Sequence, residues 1–179
     1  MENKIFISLL PFKTERLIIR KISISDVDMI LKIDKQEETQ KYLGGIKNKT
    51  KEERIAFVEK KLQKYDKGLV GQLTVCLEDE TPIGLIGLDI NEENLTGEIS
   101  YIFDYDYCNK GYCTEACKKI LEFCFTKLNL KSVNADIVDG NASSKRVLEK
   151  LGFTYQDSFV KESTTFLLYN LKKDEFILK

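Results

Sequence analysis

A short loop containing one glycine runs directly into an apolar-patterned segment in YCNKGYCTEACKKILEFCF, residues 107–125. From Gly111 onward, apolar residues recur at helical spacing, which predicts an amphipathic helix. No proline and no side chain of the usual capping kind stands immediately before it. The first N–H groups of a helix lack internal partners and the helix dipole favours negative charge there, so the segment predicts an anion site. A glycine-containing helix entry without any ligand is the other interpretation.

The residues of this loop suit a pyrophosphate group. Gly111 lets the backbone approach a ligand closely, because it has no Cβ. Successive backbone N–H groups would surround the anion, while Lys110 would add positive charge and Thr114 a hydroxyl donor. The predicted anion-binding residues are Asn109, Lys110, Gly111, Tyr112, Cys113 and Thr114.

The composition is that of an ordinary globular protein. The chain has 179 residues, 42% apolar and 32% charged, which argues against disorder and predicts a single domain, residues 1–179. The formal net charge of −1 provides no global basic field to hold nucleic acid. No apolar run approaches the roughly 20 residues of a membrane span, and the first residues lack a signal-peptide cleavage site. We therefore expect a cytoplasmic protein with neither nucleic-acid nor membrane partners.

The cysteines are expected to be small buried thiols in a reducing compartment. Four of the five lie in residues 108–124, where helical neighbours one turn apart rarely have disulfide geometry. The chain has no histidine and no CxxC pair, so a zinc site would need scattered thiolates. We expect no metal.

Helical and alternating patterns predict the element order β-α-α-β-β-β-α-β-α-β-β. Ser25 is the expected N-cap of the first helix, Thr50 and Glu53 form a capping box on the second, and Gly152 ends the last. The middle strands should be antiparallel, because their connections are too short for helical crossovers. The expected fold class is α/β (α+β), with a mixed, mostly antiparallel sheet and helices on both faces. The predicted strands span residues 16–22, 68–79, 83–90, 98–105, 132–139, 153–162 and 164–173, and the predicted helices residues 25–35, 51–65, 111–128 and 142–151.

Three separated motifs resemble one enzyme family. CNKGYCTEA at residues 108–116, DGNASSKRVLEKLGF at 139–153 and TERLIIR at 14–20 stand in the order and spacing of the GNAT superfamily of N-acetyltransferases. The chain is most similar to the ribosomal-protein-alanine acetyltransferases of that superfamily, over residues 14–169. It departs from the superfamily's phosphate-loop pattern at Cys108, where glutamine or arginine is common, and at Cys113, where glycine or alanine is common.

The resemblance implies a GNAT fold and acetyl-CoA as co-substrate. In the family the fourth and fifth strands splay apart, here the strand ending at Phe103 and the strand Ser132–Val138. Pantetheine lies in that gap like an added strand, and the diphosphate lies on the loop of residues 109–114. The remaining expected contacts to acetyl-CoA come from Tyr101, Ile102, Phe103, Asn141 and Ser144.

The implied reaction is direct attack of an acceptor amine on the thioester. Glu98 is the predicted general base, with Asp89 and Asp104 as the other candidates. Ser144 is the predicted proton donor to the departing thiolate, a job that Tyr101 could also do. Glu98 has the alternative interpretation of an exposed strand carboxylate, and Ser144 that of a first-turn hydroxyl.

The acceptor stays open at this point, as a peptide N-terminus or a small amine, and so does the choice between monomer and homodimer. Acidic residues at 78–80, 89–93 and 98 suggest an acidic acceptor mouth, opposite a basic side for acetyl-CoA. A non-catalytic acyl-CoA-binding module of the same fold is the alternative function. A nucleotide-binding α/β domain lacks support, because the chain has neither G-x-G-x-x-G nor G-K-[ST]. The predicted basic side is formed by Lys110, Lys118, Lys119, Lys145, Arg146 and Lys150.

Overall fold

The computed structural model describes residues 2–176, and the expected domain ends at residues 1 and 179 lie outside them. The helices are α1 (Glu2–Ser8), α2 (Val27–Asp34), α3 (Glu37–Gln40), α4 (Lys51–Asp66), α5 (Tyr112–Thr126) and α6 (Ala142–Leu151). The strands are β1 (Phe12–Lys13), β2 (Leu17–Lys21), β3 (Gln72–Leu77), β4 (Pro82–Asn91), β5 (Thr96–Phe103), β6 (Ser132–Val138), β7 (Thr154–Lys161) and β8 (Thr164–Lys172).

The strands described in residues 2–176 form one sheet in the order β1-β2-β3-β4-β5-β6-β8-β7. The middle strands β3, β4 and β5 pair antiparallel, as predicted. β5 and β6 pair parallel, and only through Thr96 to Glu98 opposite Ser132 to Asn134. Beyond Glu98 the two strands diverge, since β5 continues to Phe103 on β4 and β6 continues to Val138 on β8. The predicted gap between the two strands is therefore present.

The core covers both faces of the sheet. In β4 the six residues 83–88 are all buried, which requires packing on both sides of the strand. α1 and α5 pack together over one end of the sheet, where Phe6 and Phe12 meet Phe123 with ring centroids 4.8 to 5.3 Å apart. The expected α/β class with a mostly antiparallel sheet is confirmed.

The predicted start of the first helix is wrong. Ser23, not Ser25, is the capping residue, because its extended backbone lets its side chain accept from the Ser25 N–H. The Asp26 carboxylate accepts from the Ser23 N–H at 2.8 Å, which completes a capping box. A turn of 3-10 helix, Ile24–Asp26, therefore precedes α2, and Ile24 is exposed. Elements α1, β1 and α3 were not predicted, since they are too short to show a hydrophobic period.

Other local signals are confirmed. Thr50 and Glu53 form the predicted capping box at the start of α4. α6 has the predicted bounds, and Gly152 caps its end in the left-handed conformation with φ of 92°. These agreements concern contacts between residues close in sequence.

Candidate active site

The start of α5 has the geometry of an anion site. Gly111 is the residue before the helix, with φ of 83° and no side-chain cap, and Asn109 also has a positive φ of 60°. The first backbone hydrogen bond of the helix runs from the Glu115 N–H to the Gly111 carbonyl, at 3.0 Å. In the part of the chain that the structure describes, the backbone N–H groups of residues 109–114 have no hydrogen-bond acceptor. The predicted absence of a side-chain cap is confirmed.

A cavity of about 360 Å³ lies between the end of β5, the loop before α5 and the start of α6. The end of β5, residues 101–103, lines one side of it, and the loop that leads into α5 lines another. Apart from Lys110, every residue predicted to contact acetyl-CoA lines it: Tyr101, Ile102, Phe103, Asn109, Gly111, Tyr112, Cys113, Thr114, Asn141 and Ser144.

Lys110 is not among the residues that line the cavity. Its Nζ lies 5.3 Å from the centroid of the Tyr107 ring, and its carbonyl accepts from Arg16 Nη1 at 3.2 Å. The positive charge that lines the cavity comes instead from Arg146 and Lys150 of α6. These two residues were assigned to the basic side by charge alone, and their i, i+4 spacing on one helix face explains why both reach the cavity.

Asn141 and Ser144 are joined at the start of α6. Asn141 Oδ1 accepts from the Ser144 N–H at 3.1 Å and so caps the helix. This bond engages the side-chain oxygen, so the Asn141 amide nitrogen is the group that can donate to a ligand.

Tyr101 and Ser144 form a hydroxyl pair inside the cavity. Tyr101 Oη lies 2.8 Å from Ser144 Oγ. Burial of Tyr101, followed by the nearby thiols of Cys117 and Cys113, raises the pKa of its phenol well above the usual value of 10. The phenol therefore keeps its proton at neutral pH and can donate a hydrogen bond.

Glu98 lies at the base of the gap and is not among the residues that line the cavity. It is the last residue of β5 that pairs with β6, opposite Asn134, and it pairs with Asp89 on β4. Glu98 is exposed, as in the alternative interpretation of a strand carboxylate. Desolvation of its carboxyl group, and then the charges of Asp136 and Asp89, still raise the pKa of Glu98 above 4.5. A carboxylate with a raised pKa is a better proton acceptor, which fits the predicted role.

The other two candidate bases have ionic partners. Asp104 is buried, with Lys32 Nζ at 2.7 Å and Gln36 Nε2 donating at 2.7 Å. Burial opposes its ionisation, but the hydrogen bonds from Lys32 and Gln36 outweigh it and lower the pKa of Asp104. Asp89 lies 3.3 Å from Lys64 Nζ. Asp104 thus fixes the turn after β5, which makes it a poor base.

Residues near α3 were missed by sequence reasoning. Glu38, Thr39 and Tyr42 line the same cavity, and Glu38 contributes a carboxylate there. The Tyr42 hydroxyl donates to the Gly140 carbonyl at 2.9 Å, which ties the segment after α3 to the loop before α6. α3 has only four residues, so no periodic signal could have placed it over the gap.

The five cysteines are free thiols. Cys76, Cys117 and Cys124 are buried, and Cys108 and Cys113 are half-buried beside the cavity. A hydrogen bond with Cys117, together with burial, raises the pKa of Cys113 well above 9. Both observations favour the expected role of small protonated packing groups.

Comparison with known proteins places the chain in a family. The family model described as an acetyltransferase (GNAT) domain matches residues 16–154. The chain belongs to the GNAT acetyltransferase family. As a GNAT protein it is an acetyl-CoA-dependent N-acetyltransferase, which agrees with the motifs and with the splayed strands.

Individual relatives agree with this assignment. The uncharacterized N-acetyltransferase YnaD of Bacillus subtilis (strain 168) is 33% identical over 150 residues, which cover 83% of this chain and 85% of YnaD. A GNAT-family acetyltransferase from Bacillus anthracis has a crystal structure with TM-score 0.81 and 27% identity, covering 93% of this chain and 100% of that one. Spermidine N-acetyltransferase from Vibrio cholerae, solved with CoA and spermine, has TM-score 0.77 at 18% identity, covering 90% and 98% of the two chains, and shares the fold. Among residues 2–176, no helix is both long and apolar enough to cross a membrane.

Proposed function

We propose that this GNAT enzyme transfers the acetyl group of acetyl-CoA to a primary amine by direct attack, with both substrates bound together. One observation carries the proposal: the unpaired N–H groups of residues 109–114 and the unpaired edge of β5 open into one cavity. The first feature suits a diphosphate, and the second suits the extended amide chain of pantetheine.

The residues present fit acetyl-CoA. The N–H groups of residues 109–114 would hold the diphosphate, with Arg146 and Lys150 adding positive charge. Tyr101, Ile102 and Phe103 would offer backbone groups to pantetheine, and the Asn141 amide nitrogen would donate to one of its carbonyls. The co-substrate supplies an activated thioester carbonyl, which a β5 N–H could polarise.

In this proposal the side chains move protons. Glu98 takes the proton of the acceptor ammonium, directly or through water, so that a neutral amine attacks. The Tyr101 phenol, paired with Ser144, gives a proton or a hydrogen bond to the departing thiolate. Alignment of the two substrates in the cavity supplies a further share of the acceleration.

The acceptor is proposed to be a cationic amine, either a peptide N-terminus or a small polyamine. Acidic side chains of three neighbouring strands, Asp89, Glu98 and Asp136, lie around the base of the gap. The three motifs together support a peptide N-terminus, since the chain resembles ribosomal-protein-alanine acetyltransferases in them. The shared fold with a spermidine N-acetyltransferase supports the small polyamine.

The test is an acceptor screen that measures release of the CoA thiol. Acetyl-CoA is incubated with the enzyme and either peptides with N-terminal alanine or serine, or spermidine and spermine. We expect amine-dependent thiol release with one of these two classes, and a mass increase of one acetyl group on the acceptor nitrogen. Thiol release that is the same with and without every amine would contradict the proposal.

The base is tested with Glu98→Gln. Loss of a general base should lower kcat by about a hundredfold to ten-thousandfold while the affinity for CoA stays the same. Glu38→Gln is the matched variant, because Glu38 is the carboxylate that lines the cavity. If Glu38→Gln loses turnover and Glu98→Gln keeps it, the base has been assigned to the wrong carboxylate.

A further inference from the structure

Arg16 and Glu115 form an ion pair that joins the start of β2 to the first turn of α5. Arg16 Nε donates to Glu115 Oε2 at 2.8 Å, and Arg16 Nη2 lies 2.6 Å from the same oxygen. Glu115 Oε1 accepts from the Arg16 backbone N–H at 3.0 Å and from the Thr14 hydroxyl at 2.6 Å. Both oxygens of the carboxylate are thus held by a segment 99 residues away in sequence.

Arg16 also contacts the loop itself. Its Nη1 donates to the Lys110 carbonyl at 3.2 Å, and its guanidinium carbon lies 4.6 Å from the centroid of the Tyr112 ring. Between these two residues, a Cβ added to Gly111 would lie 3.4 Å from Arg16 Nη2. One guanidinium group therefore contacts Lys110 and Tyr112 and lies beside Gly111, in the segment whose N–H groups are unpaired.

Arg16 offsets the negative charge of Glu115 beside the proposed diphosphate site. A carboxylate in the first turn of α5 lies beside the N–H groups proposed to hold the diphosphate, and like charges repel. Burial of Glu115 opposes its ionisation, but hydrogen bonds from Thr14 and Arg16 outweigh it and lower the pKa, so the group is charged. Arg16 neutralises it, and the positive end of the helix is left to the ligand.

A contribution to the free energy of unfolding does not explain why Arg16 pairs with Glu115. The Arg16 side chain is 44% exposed, and exposed ion pairs contribute little to folding. Holding a loop with two left-handed residues in place before a ligand arrives, by contrast, lowers the ordering cost of binding.

We propose that Arg16 and Glu115 are positioning residues that fix the loop of residues 109–111 in its anion-receptive conformation, with Thr14 orienting the carboxylate. This inference rests on the proposed binding of the CoA diphosphate by that loop. The planar guanidinium is required, because lysine cannot bridge two carboxylate contacts, a carbonyl and a ring at once.

The first test compares Arg16→Lys and Arg16→Gln with Lys13→Gln. Lys13 is an exposed cation on β1, so its loss changes the net charge equally without touching the loop. We expect both Arg16 variants to raise the calorimetric Kd for CoA and the KM for acetyl-CoA about tenfold, with kcat at saturation unchanged. Lys13→Gln should leave all three values within twofold. Equal effects of Arg16→Gln and Lys13→Gln, or a Kd for CoA and a KM for acetyl-CoA that stay unchanged in Arg16→Lys, would overturn the proposal.

The second test asks whether Glu115→Gln tightens or weakens CoA binding. If Glu115 acted only through its charge, Glu115→Gln would remove a repulsion and tighten CoA binding. If Glu115 acts by positioning the loop through Arg16, Glu115→Gln should instead raise the Kd for CoA about tenfold. Adding Arg16→Gln to this variant should cause no further loss of affinity. Glu122→Gln is the control, since Glu122 lies further along the same helix and pairs with Lys119. Tighter binding by Glu115→Gln would overturn the proposal.

Calorimetry on the unmodified protein separates the two ideas. If that protein has no measurable affinity for CoA, the proposed function fails. If it binds CoA and the Arg16 and Glu115 variants bind equally well, the positioning inference alone fails. Circular dichroism of each variant shows whether the fold is retained, and Arg16→Lys serves as the second variant if Arg16→Gln does not fold.

Discussion

The two arginines of TERLIIR have different partners. Arg16 reaches the loop before α5, whereas Arg20 Nη2 lies 2.7 Å from Oδ1 of the fully buried Asp26. Asp26 also accepts from the Thr74 hydroxyl at 2.7 Å, so the Arg20 pair stabilises the entry to α2. A motif that sequence comparison treats as one unit thus serves both the fold and the candidate site.

At the residue level, the raised pKa of Glu98 predicts the acidic limb of the pH profile. The base must be deprotonated to act, so kcat/KM should rise with pH through a value above the usual 4.5 of a glutamate. The measurement is kcat/KM for the acceptor from pH 4.5 to 8, at constant ionic strength.

Replacing Glu98 provides the control for this limb. Glu98→Gln should remove the inflection and keep only a slow, weakly pH-dependent rate. An inflection that persists at the same pH in Glu98→Gln would belong to another group, with Glu38 the first to be examined.

Tyr101 and Ser144 give a second prediction at this level. Tyr101→Phe should lower kcat on the order of a hundredfold, because the buried phenol is the proposed proton donor. Ser144→Ala should cost roughly fivefold, since it removes one hydrogen bond to that phenol. Single-turnover acetyl transfer measures both, and a larger loss in Ser144→Ala would return the role to Ser144.

At the level of elements, two glycines with the same backbone conformation allow a matched comparison. Gly111 precedes α5 with φ of 83°, and Gly152 follows α6 with φ of 92°. Alanine at either position should lower the free energy of unfolding by about 1–2 kcal/mol, because the left-handed conformation is unfavourable for a residue with a Cβ. Urea unfolding of Gly111→Ala and Gly152→Ala measures this cost.

The two variants should differ in binding. Gly111→Ala should weaken CoA binding at least about tenfold, since a Cβ at this position hinders close approach of the proposed diphosphate to the N–H groups of residues 109–114. Gly152→Ala should leave CoA binding unchanged within about twofold. Similar losses in both variants would indicate a general effect of destabilisation, not a role of the loop.

At the level of the whole molecule, a ligand that binds only the folded chain should raise its unfolding temperature. CoA at a hundred times its Kd should add about 2.7 kcal/mol, or about 5–10 °C for a chain of this size. Pantetheine at the same concentration should give a much smaller shift, because it lacks the diphosphate. Differential scanning calorimetry measures both, and equal shifts would argue against binding at residues 109–114.

The same scan tests the domain organisation. We propose that residues 1–179 unfold as one domain, which predicts a single transition whose calorimetric and van't Hoff enthalpies agree. Two separated transitions, with only one moved by CoA, would contradict it.

Much of the fold was predictable, because it follows from local patterns. The capping box of α4, the bounds of α6 and the antiparallel middle strands depend on residues close in sequence. The N-cap of the first helical segment was misplaced by two residues, since Ser23, Ser25 and Asp26 all offered capping oxygens and only the backbone conformation of Ser23 chose among them. Short elements such as α3 left no periodic signal to read.

The sequence by itself determined that a helix begins without a side-chain cap after Gly111, and that the chain carries the three GNAT motifs. Both features lie in short stretches, where backbone preference and residue type are sufficient. Only the tertiary structure showed that Glu38 lines the cavity while Glu98 does not, and that Arg16 contacts both Glu115 and the loop. The physical reason is distance along the chain, because contacts between residues 99 positions apart depend on how β2, β5 and α5 pack, and no local preference specifies that.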